Sequence, residues 1–245
     1  MKRLKIIVSI LATGMISSMY LSCTKETPQI APLNSNLSTL ALVQVFSATV
    51  KASRNYIYVD NTPVSGAALS YGGVFPGTAY AFTVNPGSRT FLIKDTLPAT
   101  TQIPLTFSQT MQAGKSYTIF TYDTITSIKQ LTVTNNIQIP TDTTARLRFA
   151  NFAYSPSMIP ALDVYSFRKG TTTPVFSNIA TDQVTDFIPY ISGSTDTLYI
   201  YATGTTSPLL AKSLVTSLTQ TRSYTSVYSG SYVGKQTIIL LQLIS

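Results

Sequence analysis

Apolar and polar positions alternate along most of the chain, which is the pattern of half-buried strands. Tyr80, Phe82 and Val84 are predicted to share one face of an extended segment, and Phe91 and Ile93 to share a face of the next. Beyond the N-terminal region, no stretch shows a helical period. Turn-forming residues separate the runs, at Asp60–Pro63, Asn85–Gly87 and Ala113–Lys115.

These runs predict short strands in the first part of the chain. Their predicted bounds are Leu40–Phe46, Tyr56–Val59, Thr78–Val84, Arg89–Lys94, Ile103–Thr110, Ser116–Tyr122 and Ser127–Val133. Short strands at this spacing predict an all-β fold, an antiparallel sandwich of the immunoglobulin-like (Ig-like) type without its Cys and Trp hallmarks. The composition also favours strands, because only 11% of the residues are charged, against roughly 25% in an average domain, and long solvated helices would need more Glu and Lys.

A weak internal repeat follows the N-terminal region. With one constant shift, segments match in order and spacing: Ile57–Val59 with Val164–Ser166, Thr90–Ile93 with Thr197–Ile200, and Lys115–Phe120 with Arg222–Val227. We therefore predict two tandem sandwich domains, Thr39–Asn136 and Thr144–Ser245, joined by a linker at Ile137–Thr143. The closing segment Lys235–Ile244 is nearly all apolar, and we expect it to be buried on both faces.

The N-terminal region predicts export. Met1–Lys5 is basic, Ile6–Leu21 is apolar but interrupted by Ser, Thr and Gly, and the only cysteine, Cys23, follows. The apolar run is shorter and softer than the roughly 20 apolar residues of a membrane-spanning helix, so residues 1–22 are interpreted as a signal peptide. Thr24–Ser38, rich in Pro, Asn and Ser, is interpreted as a flexible tether. The alternative is an ordinary secretory signal with a chance cysteine.

The segment Tyr20–Cys23 resembles the cleavage site of a bacterial lipoprotein, where the chain is cut before the cysteine and lipid is added to it. Tyr20 departs from the commonest form of the site, which has Leu there. The resemblance implies that Cys23 carries acyl chains such as palmitate, which anchor stably when there are several. Lys25 and Glu26 resemble the export signal of Bacteroidetes-type lipoproteins. That implies an outer-membrane location, with the cell surface favoured and the periplasmic face as the alternative.

Motifs in both units resemble a family of domains of unknown function. They are the opening strand at Leu40, the segment Asn55–Asp60, LDVYS at Leu162–Ser166, the turn at Pro86-Gly87, and GKSYT at Gly114–Thr118. The family's Ig-like repeats occur in secreted and lipid-anchored bacterial proteins. The second unit departs from the pattern at Thr221-Arg222, where the Gly-Lys turn would stand. The resemblance implies fold and location but no activity.

Residue types limit the chemistry. The sequence has no histidine, which removes the usual general base near neutral pH and the commonest metal ligand. The only Glu is Glu26, and the one close Asp pair, Asp182 and Asp186, is interpreted as solvated turn residues. We predict no catalytic residue, no cofactor and no metal site, and therefore no enzyme; a hydrolase using Asp residues is the alternative.

The basic residues are dispersed, although the formal net charge is +8. Arg146 and Arg148 are predicted to share one face of a strand and are the nearest approach to a basic patch. Nucleic-acid binding needs a denser cluster, so no nucleic-acid partner is predicted.

Aromatic residues suggest a ligand loop. Tyr71 and Phe75 lie in Ser70–Gly77, where exposed rings could stack on sugar or peptide; the alternative is a turn whose aromatics fold back onto the core. Tyr117 and Tyr224 occupy equivalent places in the two units. We interpret them as structural tyrosines at sandwich corners, with ligand contact as the alternative.

Asp-Thr pairs followed by Thr or an apolar residue recur in the chain. They resemble the O-glycosylation acceptor triplet of Bacteroidetes-type proteins, which implies candidate glycosylation at Thr96, Thr124, Thr143 and Thr197.

Together these features predict a lipid-anchored, non-enzymatic binding, adhesion or scaffold module of the cell envelope, with membrane lipid as its anchor and glycan or envelope protein as its partner. The alternative is an accessory subunit of an outer-membrane uptake or secretion complex.

Overall fold

The described part of the chain consists almost entirely of strands. The structure is a computed structural model that describes residues 36–137, 139–232 and 236–242, and in the last range it describes the side chain of Ile239 alone. The one helix in these ranges is a short 3-10 turn at Leu37–Thr39, and none is long and apolar enough to cross a membrane. The prediction of an all-β sandwich fold is confirmed.

The strands fall into two halves, residues 41–135 and 145–242. The first half contains β1 Ala41–Ser47, β2 Asn55–Val59, β3 Thr62–Pro63, β4 Val74–Phe75, β5 Phe82–Val84, β6 Gly87–Asp95, β7 Leu105–Met111, β8 Ser116–Tyr122 and β9 Lys129–Asn135. The second half contains β10 Ala145–Tyr154, β11 Leu162–Arg168, β12 Thr171–Ile179, β13 Gln183–Val184, β14 Ile188–Tyr190, β15 Asp196–Ala202, β16 Ala211–Val215, β17 Ser223–Ser231 and β18 Gln236–Gln242.

Both halves have the same sheet connectivity. Each has a five-stranded inner sheet, in the orders β4-β1-β8-β9 and β13-β10-β17-β18, with β5 and β14 pairing onto β1 and β10. Each also has a four-stranded outer sheet, in the orders β3-β2-β6-β7 and β12-β11-β15-β16. The assignment of the halves to two separate domains stays a prediction.

Two strand pairs depart from the antiparallel arrangement predicted from the sequence. β1 pairs with β8, and β10 with β17, in parallel. These partners stand near opposite ends of their half, so the chain crosses the sandwich between them. Parallel pairing needs such a long crossover, whereas a short turn can join only antiparallel strands.

Strand alternation builds a core between the two sheets of each half. In the first half, Val43 of β1, Ile57 of β2 and Phe91 of β6 are fully buried and belong to one cluster. In the second half, Phe149 of β10 and Leu198 of β15 occupy the corresponding core. Burial of every second side chain is what the alternating sequence pattern predicts.

A third apolar cluster joins the two inner sheets face to face. Phe46 and Phe120 of the first half meet Ala150, Phe152 and Val227 of the second, and the rings of Phe120 and Phe152 lie 4.8 Å apart. We call this contact the seam. It covers the second face of each inner sheet, which is why β10 and β17 are buried along almost their whole length.

Two details of the strand predictions differ from the structure. The segment Thr78–Val84 forms a strand only at Phe82–Val84, because Ala79 has a positive φ of 65° that interrupts extended backbone. Tyr80 lies outside the strand and is 67% exposed, so it does not share the face of Phe82. The two-residue strands β3 and β4 are too short to produce an alternating pattern.

The closing segment Lys235–Ile244 lies mostly outside the described side chains. Ile239, the one side chain described, is partly buried against the seam. Burial of the rest stays a prediction.

Tyr117 and Tyr224 are structural residues, as predicted. Each is almost fully buried, and each hydroxyl accepts a hydrogen bond from a backbone N–H five residues upstream, at 3.0 Å from Gln112 and 3.1 Å from Thr219. This is the tyrosine corner of Ig-like sandwiches. It occupies equivalent positions in the two halves.

Candidate functional site

The N-terminal predictions lie outside the described residues. This applies to the signal peptide, to Cys23 and its lipid, and to the export signal at Lys25 and Glu26. They stay predictions.

The predicted ligand loop is packed against the protein. Phe75 lies against the core of the first half and pairs with Phe82 at 5.4 Å between ring centroids. The hydroxyl of Tyr71 forms a 3.1 Å hydrogen bond with Ser229 Oγ across the seam. Between them, Gly72 has a φ of +76°, and a Cβ there would lie 2.9 Å from Ile239 Cδ1. A ligand role for this loop stays a prediction, and its packing favours the structural alternative.

The four Asp-Thr pairs are all held by a hydrogen bond from nearby backbone to the Asp carboxylate. In each, the carboxylate accepts a backbone N–H one or two residues ahead: Leu97 for Asp95, Thr124 for Asp123, Thr144 for Asp142, and Thr197 for Asp196. Short polar side chains favour such turns, so the motif has a local structural role. Thr96 and Thr143 are exposed, whereas Thr124 and Thr197 are partly buried. Glycosylation stays a prediction.

Asp182 and Asp186 line two different clefts. Asp182 lies with Asp123 and Lys129 in a cleft of about 160 Å³ at the edge of the seam, where Lys129 Nζ is 2.8 Å from Asp123 Oδ2. Asp182 is exposed as a residue, but partial burial of its carboxyl in the cleft raises its pKa. Lys129 opposes this shift and the negative charge of Asp123 adds to it. Sequence reasoning missed this grouping because Asp123 and Asp182 come from different halves.

Arg146 and Arg148 do share a face of β10, but that face forms the seam. Arg148 is 2% exposed; its Nε donates to Thr225 Oγ1 at 2.9 Å and its Nη2 to Asn135 Oδ1 at 2.7 Å. The guanidinium also lies 4.6 Å from the centre of the Phe187 ring. Burial lowers the pKa of Arg148 to about 9, so the side chain is still charged at neutral pH. Arg148 therefore joins the halves and is not part of a surface patch.

The feature best suited to binding is the solvent side of the second outer sheet. Along β11 and β15, aliphatic residues such as Val164 point into the core. The alternate positions carry Tyr165, Phe167, Tyr199 and Tyr201, all partly exposed. We call these four residues the aromatic face. Single apolar groups on a protein surface are ordinary, whereas contiguous ones mark interaction sites.

The rings of the aromatic face contact one another. Phe167 and Tyr199 are stacked with their planes 10° apart and their centroids 5.0 Å apart. Tyr201 meets Tyr165 edge-on at 5.7 Å and Tyr199 edge-on at 6.4 Å. These contacts restrain ring rotation, so the surface is organised before any ligand arrives.

The surroundings of the aromatic face are polar, basic and open. On β16, Lys212 is the register partner of Tyr199, and Leu214, two residues on, is 62% exposed. Next to Phe167, a cleft of about 450 Å³ is lined by Arg168 and Lys169.

The outer sheet of the first half carries a smaller counterpart. Tyr56 and Tyr58 line a groove of about 500 Å³ whose wall is the segment after Asp95. Lys94 Nζ lies 5.0 Å from the centre of the Tyr58 ring. Asp95 holds the wall in place by accepting hydrogen bonds from Arg54, from the Leu97 backbone and from Thr100.

One segment of the sequence shows the pattern of the aromatic face, although the predictions above did not include this face. In LDVYSFR, Leu162–Arg168, the aliphatic residues occupy one set of alternate positions and the aromatic residues the other. A strand that is apolar on both faces is either buried on both sides or displays one face. Only the sheet order shows that this strand lies in an outer sheet.

The described residues provide no metal-binding group. Across residues 36–137, 139–232 and 236–242, no three acidic, Cys or His side chains lie close enough together to hold a metal ion.

Fold and surface together define an all-β sandwich protein with an aromatic sheet face turned to solvent. The chain belongs to the family described as domain of unknown function DUF4397, whose model matches residues 41–165. The match covers the first half and continues into β11, and it bears out the family resemblance noted in the sequence. The second repeat of the family domain and the lipid anchor stay predictions.

Other comparisons add no functional assignment. No curated protein matches the chain. A carbohydrate-binding module of family CBM26 from Eubacterium rectale, solved with maltoheptaose, is 15% identical; 82% of this chain and 96% of that chain are covered, with a TM-score of 0.27. A candidate cell adhesion protein from Bacteroides ovatus is 11% identical, with 85% and 99% covered and a TM-score of 0.26. At these TM-scores neither likeness supports an argument about this chain.

Proposed function

We propose that this protein is a non-enzymatic, lipid-anchored binding module of the outer membrane, and that it binds glycan through the aromatic face. The observation that carries the proposal is the cluster of four partly exposed, mutually packed rings on the second outer sheet. Aromatic rings pack well against the C–H face of a sugar ring, and tyrosine adds a hydroxyl that can bond to sugar hydroxyls.

The shape of the surface favours an extended glycan. The rings lie on the open side of a sheet, so a chain of sugars can lie along it without entering an enclosed pocket. Thr172, the register partner of Phe167 on β12, and Thr197 on β15 add hydroxyl groups beside the rings.

The binding test uses the full chain in detergent micelles on a glycan array, followed by titration calorimetry of the hits. We expect Tyr199→Ala to weaken binding by about two- to tenfold, since an aromatic contact contributes about 0.5–1.5 kcal/mol and 1.4 kcal/mol is a factor of ten. Tyr199 also contacts two other rings of the face. The matched control is Tyr80→Ala, an exposed tyrosine outside the aromatic face. Unchanged glycan binding by folded Tyr199→Ala protein would refute the assignment of the site.

A protein partner gives a different result. The accessory-subunit alternative predicts that an outer-membrane transporter co-purifies with the full chain and that Tyr199→Ala does not affect this. It also predicts no binding on the glycan array.

The anchor has a separate test. The sole cysteine directly after an apolar run supports lipidation of Cys23, because acyl chains would supply the membrane affinity. Radiolabelled palmitate should enter the wild-type protein and not the Cys23→Ser variant. Protease treatment of intact cells should degrade the protein if it faces outward, and leave it intact if it faces the periplasm.

A further inference from the structure

We propose that the glycan bound by the aromatic face is an acidic polysaccharide, whose carboxylates are held by Lys212, Arg168 and Lys169. This inference rests on the proposed function and adds the class of ligand to it.

The exposed charges beside the aromatic face are all positive. Lys212 stands opposite Tyr199 in the sheet register and on the same face. Arg168 and Lys169 line the cleft beside the Phe167 ring, together with the buried Asp196. Arg168 ends β11 at a core-side position and also lines the neighbouring cleft with Tyr190. All three cations are exposed. In the part of the chain that the structure describes, none of them forms an ion pair with a carboxylate.

The carboxylates of the same sheet are turned into the protein. Asp163 is 6% exposed, and its oxygens accept hydrogen bonds from the backbone N–H groups of Asn178 at 2.8 Å and Gly204 at 2.9 Å. Asp196 is 3% exposed and accepts hydrogen bonds from Tyr190 and Ser166, each at 2.5 Å. Their lone pairs are used internally, so they do not neutralise the three exposed cations.

The first half does not offer the same combination. It has one cation beside two tyrosines, Lys94, which lies over the ring of Tyr58, whereas the second outer sheet has three exposed cations beside four rings. Each groove also contains one internally bonded carboxylate, Asp95 in the first half and Asp196 in the second. Stacking surface and unpaired positive charge therefore occur together on the second outer sheet.

The chemistry of an acidic sugar chain matches this arrangement. The C–H face of a pyranose ring packs on the aromatic rings, while carboxylates project from the edge of the chain. Arginine can bind a carboxylate through two parallel hydrogen bonds, and lysine acts as a mobile point charge. A neutral chain would gain only the stacking.

The test compares matched ligands on the full-length protein in micelles. Polygalacturonate, alginate and hyaluronan are each compared with their methyl-esterified, uncharged forms, and amylose serves as a neutral polymer. We expect at least one acidic polymer to bind, and its binding to fall roughly tenfold on esterification, as three exposed ion pairs are lost. A similar fall is expected on raising NaCl, because salt screens exposed charges.

Two variants separate the contributions. The triple variant Arg168→Ala, Lys169→Ala, Lys212→Ala should bind the acidic polymer roughly tenfold more weakly than wild type. Its affinity for the methyl ester should be unchanged. The control Lys169→Arg, Lys212→Arg retains the charges and should retain binding. Tyr199→Ala should weaken binding of both forms.

Each outcome decides between the two claims. If amylose or an ester binds as tightly as its acidic form, with sensitivity to Tyr199→Ala, the acidic ligand class is wrong and the proposed function stands. If the triple variant binds the acidic polymer like wild type, the assigned cations are wrong. If no glycan binds, both claims fall.

Discussion

Replacing Phe120 by alanine tests whether the two halves unfold together. Phe120 is fully buried at the seam, with its ring 4.8 Å from Phe152 and 6.1 Å from Phe46. Removing a buried phenylalanine costs about 3–5 kcal/mol. In a protein of this size 1 kcal/mol lowers Tm by about 2–4 °C, so we expect a fall of about 6–20 °C.

The assay is urea unfolding of the full chain in micelles, followed by circular dichroism and by hydrogen exchange resolved along the chain. The described residues belong to one compact unit, so a single transition is expected. Although Phe120 lies in the first half, exchange should accelerate in β11 and β15 of the second half as well.

A double-mutant cycle gives the matched control. Combining Phe120→Ala with Phe152→Ala should show a coupling energy of about 0.5–1.5 kcal/mol, the value of a direct aromatic pair. Phe91→Ala, in the core of the first half and away from the seam, should show no coupling with Phe152→Ala. Two separate unfolding transitions, with only the first shifted by Phe120→Ala, would show that the seam does not join the halves energetically.

Three further predictions concern single polar groups. Tyr117→Phe and Tyr224→Phe should each lower the free energy of unfolding by about 0.5–1.5 kcal/mol, because each removes one partly buried hydrogen bond. Values near zero in urea titrations would contradict the corner role. Hydrogen bonds from the side chain and backbone of Thr144 lower the pKa of Asp142 to about 2, so its stabilisation is complete above its unfolded pKa and is lost as the pH falls toward 2. The Tm of Asp142→Asn should therefore lie below that of wild type at pH 6 and converge with it near pH 2. Burial raises the pKa of Asp182, so the charged carboxylate destabilises the fold above that pKa and this penalty disappears in acid. Asp182→Asn should therefore raise Tm at pH 7 and leave it unchanged at pH 3. A lower Tm of the variant at pH 7 would contradict this reasoning.

Local sequence patterns predicted the strands where side chains alternate and turn residues flank them. β8 was predicted with its observed bounds, Ser116–Tyr122, and β2 to within one residue. The prediction of Thr78–Val84 was wrong at its start because an alternating pattern carries no information on the left-handed backbone of Ala79. An alternating pattern of apolar and polar residues shows which face of a strand each side chain occupies, but only where the backbone is extended.

The seam and the aromatic face depend on long-range order. Arg148 has the sequence context of a surface charge, yet it is buried because a second inner sheet covers its strand. The sequence shows that Tyr165 and Phe167 alternate with the core-facing residues of β11. It does not show that β11 lies in an outer sheet, because that depends on the order of the strands. The grouping of Asp123 with Asp182 likewise requires both halves to be in place.

The parallel ladder between β1 and β8 has a mechanical consequence. β1 is the first strand in the described part of the chain, and its residues Leu42–Ser47 pair with Ser116–Thr121. Tension applied through the N-terminus enters the folded part at this strand. When that tension runs along β1, the ladder is loaded in shear and its hydrogen bonds share the force, whereas a terminal hairpin pulled at its open end would unzip one bond after another. A protein moored by its first residues would thereby keep its shape while a captured polymer drags on it.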